Sequence, residues 1–356
     1  MNVRPLITVL VPTFNDEALL VECLDSLKRQ TYDNFEVIIV DDASTNSTGR
    51  LAKDYSTSDS RFKYFRNSAN LGMTKNWNRA LSEATGRFVM KLDGDDQFQK
   101  DTIGLMIDAA ERRSAKIVFC RTIDCDENLN PLSPYRGELA FRKARLSTEL
   151  EHYQNGHFWY RMCFDDYQLW HSNAFLVETE LLRKLNGWDV RWGCASDTDL
   201  ILRLMETNLP VVSIPHVGVH YRHRKGSVSD LFRKKNLLGL EGSVLSLLSL
   251  DRYIKRGGKV DRNMEFNWYR IWSNWIDSRK FAKDNRDDFA ALTAYQIDCR
   301  PPICRIRVEQ FCRRTVSNFI RSIWSKRTIS YVNEAGATYR AHDSNSVAVP
   351  KSQDTT

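Results

Sequence analysis

The feature that most constrains this chain is a predicted strand that ends in a cluster of acids. The apolar run at residues 88–92 is followed at once by Asp93, Gly94, Asp95 and Asp96. Ligands of α/β sheets bind at strand ends, and carboxylates this close repel one another unless a positive charge lies between them. A divalent cation with a phosphate-bearing ligand would supply that charge, because Mg²⁺ and Mn²⁺ prefer oxygen donors. The alternative is a polar turn with solvated acids.

Strand and helix patterns alternate through the first half of the chain. Strands are predicted at residues 6–11, 35–40, 62–65, 88–92 and 115–120, with helices at 17–29, 47–55, 74–84 and 102–112. Strands that alternate with helices of about 10–15 residues form βαβ units. We therefore predict an α/β fold with a mostly parallel central sheet flanked by helices. Further on, the pattern predicts a strand at 172–177, helices at 180–185 and 197–205, and two short strands at 211–214 and 217–221.

Composition indicates a soluble globular protein. The 356 residues can bury a full core, and 42% are hydrophobic and 27% charged. No window of ~18 apolar residues predicts a membrane span, and the N-terminus lacks the core of a signal peptide. The eight cysteines have no CxxC spacing, so we expect reduced thiols in a cytoplasmic protein.

A second acid pair, Asp41 and Asp42, follows the predicted strand at 35–40. In a parallel sheet both acid-bearing strand ends open on one edge, so the two sets can face one crevice. The first pair suits hydrogen bonds to a base or ribose, and the alternative for Asp42 is a helix cap or turn. The chain has no GxGxxG and no P-loop, which argues against dinucleotide binding and P-loop phosphate binding.

Residues 195–200 predict the start of a helix. Ser196 followed three residues later by Asp199 fits a capping box, which would leave the Asp197 side chain free. A carboxylate beside a helix N-terminus stays ionised and can accept a proton. We interpret Asp197 as a general base, and the alternative is a surface acid that stabilises the helix dipole.

A segment rich in hydrogen-bond donors follows at residues 219–229. Two histidines, two arginines and a lysine near a strand end could bind a diphosphate, and one histidine could ligate a metal. The alternative is a solvated basic loop.

In their order along the chain, these motifs resemble the family 2 glycosyltransferases, which have the GT-A fold. The likeness covers roughly residues 4–230, and each motif is weak alone while the ordered set is strong. The motifs are residues 11–17 (VPTFNDE), 35–44 (FEVIIVDDAS), 70–72 (NLG) with 76–78 (NWN) and 84–86 (ATG), 93–96 (DGDD, similar to the DxD metal motif), and 187–189 (GWD) followed by 196–199 (SDTD), 221–223 (YRH) and 227–229 (SVS).

The resemblance implies roles for individual residues. Asp197 would be the general base of an inverting reaction, Asp95 would bind the Mn²⁺ or Mg²⁺ cofactor, and His223 would lie near the metal or the phosphates. Arg222 and Ser227 would contact phosphate or acceptor. The implied donor-binding residues are Pro12, Phe14, Asn15, Glu17, Asp41, Asp42, Asn70, Gly72, Asn78, Asp93 and Gly94. A UDP-sugar is the favoured donor.

Two positions depart from the family pattern. Ser196 stands where many members have Glu, so the base assignment depends on Asp197 alone, and Trp77 stands where many have Arg. Residues 150–170 are rich in aromatics, and Trp159 and Trp170 are candidates to stack on an acceptor sugar. The alternative for each is buried packing.

The last third of the chain is basic. Residues 300–327 carry eight basic residues and one acid at helical spacing with apolar ones, which predicts a basic amphipathic helix. Such a helix could lie on an anionic membrane surface or pack on the catalytic domain. We predict a catalytic domain at 1–230, a helical basic extension at 231–332 and a disordered tail at 333–356, with the 231–250 helix in a core or dimer interface.

The sequence thus predicts a metal-dependent transferase that acts on a glycan or lipid-linked acceptor, at the inner membrane face or in the cytoplasm, with no nucleic-acid partner. Two rivals remain. A nucleotidyltransferase would need a basic, glycine-rich N-terminal loop, which residues 11–15 do not offer. An inactive homologue that acts as a membrane-surface or assembly scaffold is disfavoured by the intact carboxylate set.

Overall fold

The structure is a computed structural model. It describes residues 4–132, 137–165, 169–234, 237–261, 264, 267, 329–332 and 338–341. The chain divides into two compact units, Met1–Asp284 and Asn285–Thr356.

Four parallel strands form one half of the main sheet. They are β1 (Ile7–Thr13), β2 (Phe35–Asp41), β3 (Phe62–Arg66) and β4 (Phe88–Lys91), in the order β3-β2-β1-β4. Thr13 at the end of β1 pairs in register with Asp41 at the end of β2. The carboxyl ends of neighbouring strands therefore open on one edge, as the sequence predicted.

Helices cover both faces of these strands, which is why every residue of β1 and β2 is buried. The helices of this half are α1 (Glu17–Lys28), α2 (Thr48–Ser58), α3 (Met73–Ser82) and α4 (Thr102–Arg113). On one face Val9 and Val11 share a core with Leu20 and Leu24 of α1. On the other face α3 packs against β1 and β2.

The second half of the sheet is mixed. It contains β5 (Gln97–Phe98), β6 (Ile117–Cys125), β7 (His152–Asn155), β8 (Phe175–Glu178) and β9 (Pro210–Arg222). β8 lies antiparallel between β4 and β6, β6 runs parallel to β9, and β5 and β7 both pair antiparallel with β9. The prediction of an α/β fold with a mostly parallel sheet is confirmed.

β9 is one strand of 13 residues, so the prediction of two short strands is wrong. Pro215, which has no N–H to donate, lies between the two predicted strands. The ladder instead shifts register there, since Phe119 pairs with Ser213 and Arg121 pairs with Val217. The strand continues because the proline lies in that irregular stretch, where no ladder hydrogen bond is required.

The remaining helices are α5 (Glu138–Lys143), α6 (Gly156–Asp165), α7 (Thr179–Lys184), α8 (Ser196–Glu206), α9 (Val228–Lys234) and α10 (Leu237–Lys255). α10 packs against α8 and α9, and its Leu245 is fully buried. The core alternative for the 231–250 helix is therefore the one observed. The domain boundaries predicted at residues 230 and 332 stay predictions.

The predicted amphipathic helix at 300–327 lies outside the described residues. In the second unit the described residues form an antiparallel pair, β10 (Ile329–Val332) with β11 (Thr338–Ala341). Among the helices that the structure describes, none has the length and apolar character needed to cross a membrane.

Candidate active site

The two acids at the end of β2 are buried and already hydrogen bonded. Asp41 accepts hydrogen bonds from the Tyr64 hydroxyl at 3.0 Å and the Ser44 N–H at 2.8 Å, and it pairs with Arg66. Asp42 is 2% exposed. It accepts from the N–H groups of Leu71 and Gly72 and from the side chain of Asn67, at 2.8 to 2.9 Å.

Asp42 therefore holds the 70–72 loop against the sheet edge. The Gly72 N–H also donates to Asn70 Oδ1, at 3.0 Å. Gly72 has a φ of +85°, in the left-handed region that favours glycine. Phe14 and Leu71 are 44% and 42% exposed. A base contact by Asp42 stays a prediction, since its carboxylate already has three donors.

We expect Asp42→Ala to lower the free energy of unfolding by about 2–3 kcal/mol, because three donors lose a charged acceptor. A matched control is Asp108→Ala, which removes a surface pair with Arg4 in which both side chains are 53% exposed. Loss of that surface pair should lower the free energy of unfolding by only about 0.2–1 kcal/mol. Urea unfolding measures both, and equal losses would contradict the role given to Asp42.

Two loops that flank the edge are joined by side chains predicted to bind a donor. Asn15 accepts the Thr45 N–H at 2.9 Å, and Glu17 accepts the Ser47 N–H at 2.7 Å. That N–H, with the Ser47 hydroxyl, lowers the pKa of Glu17. Pro12 is buried in β1, where it pairs with Val40.

At the end of β4 the structure places a buried lysine before the acid cluster. Lys91 is 0% exposed, and its Nζ donates to both oxygens of Asp93 at 2.7 and 2.8 Å. The same Nζ lies 4.0 Å from the centre of the Trp77 ring. Burial opposes the charged form, but Asp197 and Asp93 attract it and together raise the pKa of Lys91. The lysine is thus a fixed positive charge between two acids.

Asp95 lies opposite two arginines. Arg224 donates from Nε to Asp95 at 2.6 Å and from Nη2 to Asp16 at 2.9 Å. Arg222 donates to the Asp95 carbonyl at 2.9 Å and pairs with Glu22. Burial, and then repulsion from Asp95, raise the pKa of Asp16.

Asp96 is the buried member of the cluster. It accepts the Arg222 N–H at 2.8 Å and a hydrogen bond from the Asn173 side chain. Burial, followed by the charges of Asp95 and Asp93, raises its pKa well above the usual value. Gly94 lies close to the β1 end, because a Cβ there would be 3.2 Å from atoms of Thr13 and Asp16.

Asp197 is half-buried near the start of α8 and faces the same region. The Trp188 indole Nε1–H donates to its Oδ1 at 3.1 Å. Burial raises the pKa of Asp197, Lys91 lowers it and Asp93 raises it. The Trp188 ring meets Trp77 edge-on, with centroids 5.7 Å apart. A continuous set of contacts therefore joins Asp93, Lys91, the two indoles and Asp197.

The predicted capping box is wrong. α8 begins at Ser196, one residue earlier than a cap at that position requires, and the Ser196 hydroxyl bonds to the carbonyl of Gly193 at 3.0 Å. Asp199 pairs instead with Arg203 at 2.6 Å and with Arg252 at 3.1 Å. Asp197 is also not free, since it accepts from Trp188.

The donors of 221–229 lie beside the cluster. His223 Nε2 is 3.1 Å from Asp124 Oδ1, and the Tyr221 and His223 rings meet edge-on. Ser227 accepts the Asp230 N–H at 3.2 Å at the start of α9. Asp95 and His223, which were predicted to lie at the metal, therefore have different partners. Asp95 pairs with Arg224, and His223 is in contact with Asp124.

Three predicted side chains are used for packing. Asn78 exchanges two hydrogen bonds with the backbone of Trp188, at 2.7 and 2.9 Å, and so fixes the tryptophan that contacts Asp197. Trp159 is 0% exposed and Trp170 is 4% exposed. Trp170 stacks on Phe119 with centroids 4.1 Å apart. The buried alternative is therefore the one observed for both tryptophans, and neither offers a face for sugar stacking.

The donor set at Asp95 fits a divalent cation only in part. Within the described residues, no three His, Cys, Asp or Glu side chains are grouped so that they could hold a metal. Mg²⁺ at phosphate sites, however, needs only one or two carboxylates together with phosphate oxygens. Asp95, whose side chain is 17% exposed beside Arg224, fits that pattern.

Sequence reasoning missed Lys91 and Trp188 as members of the site. Two signals were available in the sequence: Lys91 is a charged residue inside an apolar strand, and Trp188 lies nine residues before Asp197. Neither pattern shows that the two side chains converge, because the convergence depends on α3 and on the turn before α8.

Comparison with known proteins shows the class of protein that the first part of the chain resembles. Residues 8–169 match the sequence model of Glycosyl transferase family 2. This segment contains the strand ends that carry Asp41 and the acids Asp93 to Asp96. It is similar to the enzymes of that family. The match ends before α8.

Individual relatives agree with this class. The chain is 27% identical over 184 residues to the uncharacterized glycosyltransferase EpsJ of Bacillus subtilis, across 51% of this chain and 50% of that protein. It is 32% identical over 127 residues to a Campylobacter jejuni GalNAc(5)-diNAcBac-PP-undecaprenol beta-1,3-glucosyltransferase, across 35% of this chain and 41% of that one. The chain thus spans half or less of these two relatives.

Two solved structures share the fold. S. aureus TarS 1–349 in complex with UDP-GlcNAc has a TM-score of 0.52 at 19% identity, over 76% of this chain and 80% of that one. The mannosyltransferase PcManGT from Pyrobaculum calidifontis, in complex with GDP-Man and Mn²⁺, has a TM-score of 0.51 at 18% identity, over 83% and 82%. The fold is thus of the GT-A type, as predicted.

Proposed function

We propose that this chain is a glycosyltransferase that moves a sugar from a nucleoside-diphosphate donor to a hydroxyl group of a glycan or lipid-linked acceptor. One observation carries the proposal. Acids of the β4 edge and the half-buried Asp197 face one region and are joined through Lys91 and two indoles. The family match of residues 8–169 supports the same reaction class.

On the donor side, Asp95 would hold a divalent cation against the diphosphate. When bound, such an ion neutralises the charge that develops on the leaving diphosphate. Arg224, whose side chain is 33% exposed, already lies beside Asp95 and can donate hydrogen bonds to phosphate oxygens. Arg222 is buried, and its guanidinium donates to the carbonyls of Asp95 and Glu127 and pairs with Glu22, so it holds the Asp95 backbone in place. Asp93, whose side chain is 24% exposed, accepts hydrogen bonds from Lys91 with both of its oxygens, and we assign it to the donor side beside Asp95.

On the acceptor side, Asp197 acts as the general base. The acceptor oxygen attacks the anomeric carbon, the bond from that carbon to the diphosphate breaks, and the acceptor proton passes to the Asp197 carboxylate. The configuration at the anomeric carbon inverts because the entering and leaving oxygens lie on opposite sides. Trp188 holds the carboxylate in place, and Lys91 favours its ionised form.

The relatives support a proposal about the substrate classes. One neighbour was solved with UDP-GlcNAc and another with GDP-Man, and we favour a UDP-sugar as donor. One relative is named for an undecaprenol-linked acceptor and another for teichuronic acid biosynthesis. We infer a role in polysaccharide or glycoconjugate assembly, in the cytoplasm or on the inner membrane face.

The test is calorimetric titration of the protein with UDP, GDP, dTDP and CDP, each with and without Mn²⁺. We expect one nucleotide to bind with a clear gain from Mn²⁺, and its sugar derivatives to be turned over to the free nucleotide. If no nucleotide binds, the transferase proposal fails and the scaffold alternative takes its place.

A further inference from the structure

Helix α8, which carries Asp197, begins without a cap from its own side chains. Its N-cap residue is Ala195, and no side-chain cap bond is formed there. The first N–H groups of a helix need acceptors. Glu241 of α10 instead binds the backbone that leads into the helix: its Oε1 accepts the Gly193 N–H at 2.8 Å, and its Oε2 accepts the N–H of the N-cap residue Ala195 at 2.9 Å.

The contact is tight and buried. Glu241 is 3% exposed. A Cβ at Gly193 would be 2.6 Å from the Phe232 ring of α9 and 2.9 Å from Glu241 Oε1. The backbone just before α8 is thus held between α9 and α10, at a distance that excludes a side chain at position 193.

A second residue of α10 holds the body of α8. Arg252 donates to Asp199 and to Glu206, each at 3.1 Å, and the side chains of both acids are almost fully buried. Arg203 also pairs with Asp199 at 2.6 Å and donates to the carbonyls of the turn that precedes Trp188, at Leu185 and Gly187. α10 therefore contacts α8 at its start and along its length.

We propose that Glu241 is a positioning residue for the reaction, with Arg252 as its second anchor, and that α10 sets where the Asp197 carboxylate lies. This inference rests on the proposed role of Asp197. Asp197 follows Ala195 by two residues, so a shift of the Gly193 to Ala195 backbone moves its Cα directly. A displacement of about 1 Å in a reacting group can cost on the order of 10²-fold in rate.

Turnover then requires a part of the chain that lies outside the family match. The matched segment ends at residue 169, and α8, α9 and α10 all follow it. α10 supports the general base, and the donor side is built from the β1, β2 and β4 edges. Changes in α10 should therefore separate transfer from donor binding.

The test compares Glu241→Gln with Asp251→Asn in the full-length protein. A glutamine side chain has one oxygen that accepts and one NH₂ group that donates. One of the two backbone N–H groups would therefore face another donor, and its hydrogen bond would be lost. Asp251 is a carboxylate of the same helix whose side chain is 38% exposed and pairs only with Lys255 among the contacts described. It is the matched control because no described contact joins its side chain to α8.

We expect Glu241→Gln to lower kcat by about 10–100-fold per nucleotide-binding site, with the donor Kd within about twofold of wild type. Hydrogen exchange at Gly193 and Ala195 should become faster. Asp251→Asn should change none of these. If Glu241→Gln fails to fold, Glu241→Asp, which keeps the charge and shortens the reach, should show the same separation to a smaller degree.

The outcomes separate the two proposals. A wild-type protein that turns over no nucleotide-sugar overturns the transferase proposal, and this one with it. A wild type that turns over donor, with kcat per binding site unchanged in the glutamate variants, overturns the positioning role alone. A parallel fall in kcat and in the fraction of nucleotide-binding sites would mean that Glu241 only stabilises the fold, which also overturns it.

Discussion

Asp197→Asn is expected to retain donor binding and to lose transfer by about 10²–10⁴-fold in kcat. The amide cannot accept the acceptor proton, but its oxygen can still receive the Trp188 indole hydrogen bond, which is 3.1 Å long in the wild type. Calorimetry with the nucleotide and initial rates of sugar transfer measure the two effects separately. Turnover close to wild type would remove Asp197 as the base.

The sign of two further effects follows from the pKa of Asp197, which burial raises above 3.8. The base must be ionised, so the rate should fall as the pH decreases through that raised pKa, and the variant should lack this acidic limb. A raised pKa also means that folding disfavours the charged form, so this carboxyl stabilises the fold only when protonated, at low pH.

Asp197→Asn should therefore be no less stable than wild type at pH 7, which excludes unfolding as the cause of lost transfer. Asp54→Asn, an exposed position on α2, is the control. It should leave the rate, its pH profile and the melting temperature unchanged. A clear drop in melting temperature in Asp197→Asn alone would contradict the argument.

Alternating patterns were enough to predict the βα half of the fold. The apolar runs before Asp41 and Asp93 are buried strands, and parallel register places their ends at one edge. These features are local in sequence, or follow from the rule that parallel strands share an edge. The position of the candidate donor side was therefore predictable before the structure was known.

The contacts that decide what each acid does were not predictable in the same way. Asp42 is saturated by a loop 25 to 30 residues away, and Asp199 by an arginine 53 residues away. The capping box predicted from Ser196 is not formed because the helix already begins at Ser196, and the backbone before it is held by Glu241 of another helix. The aromatic pattern of residues 150–170 could not show whether these rings stack on a sugar or pack in the core. The burial of Trp159 depends on contacts with β9 and α5, which are distant in sequence.

Asp95→Ala is expected to abolish the gain in nucleotide affinity from Mn²⁺. In wild type the ratio of Kd without and with Mn²⁺ should be on the order of tenfold or more, which is about 1.4 kcal/mol or more. In the variant the ratio should fall to about one, because the carboxylate that would hold the ion is gone. Titration with the nucleotide selected by the four-nucleotide panel measures both ratios.

The same variant has an opposite effect when metal is absent. Asp95 pairs with Arg224 at 2.6 Å and adds negative charge beside Asp16 and Asp96, whose pKa values are raised by burial and by Asp95. Its removal leaves Arg224 free of one partner and lessens repulsion of a diphosphate. Metal-free binding should therefore be equal to wild type or tighter, which a folding defect would not produce. Asp54→Ala should keep both wild-type values, and a metal-dependent gain retained in Asp95→Ala would show that the ion is held elsewhere.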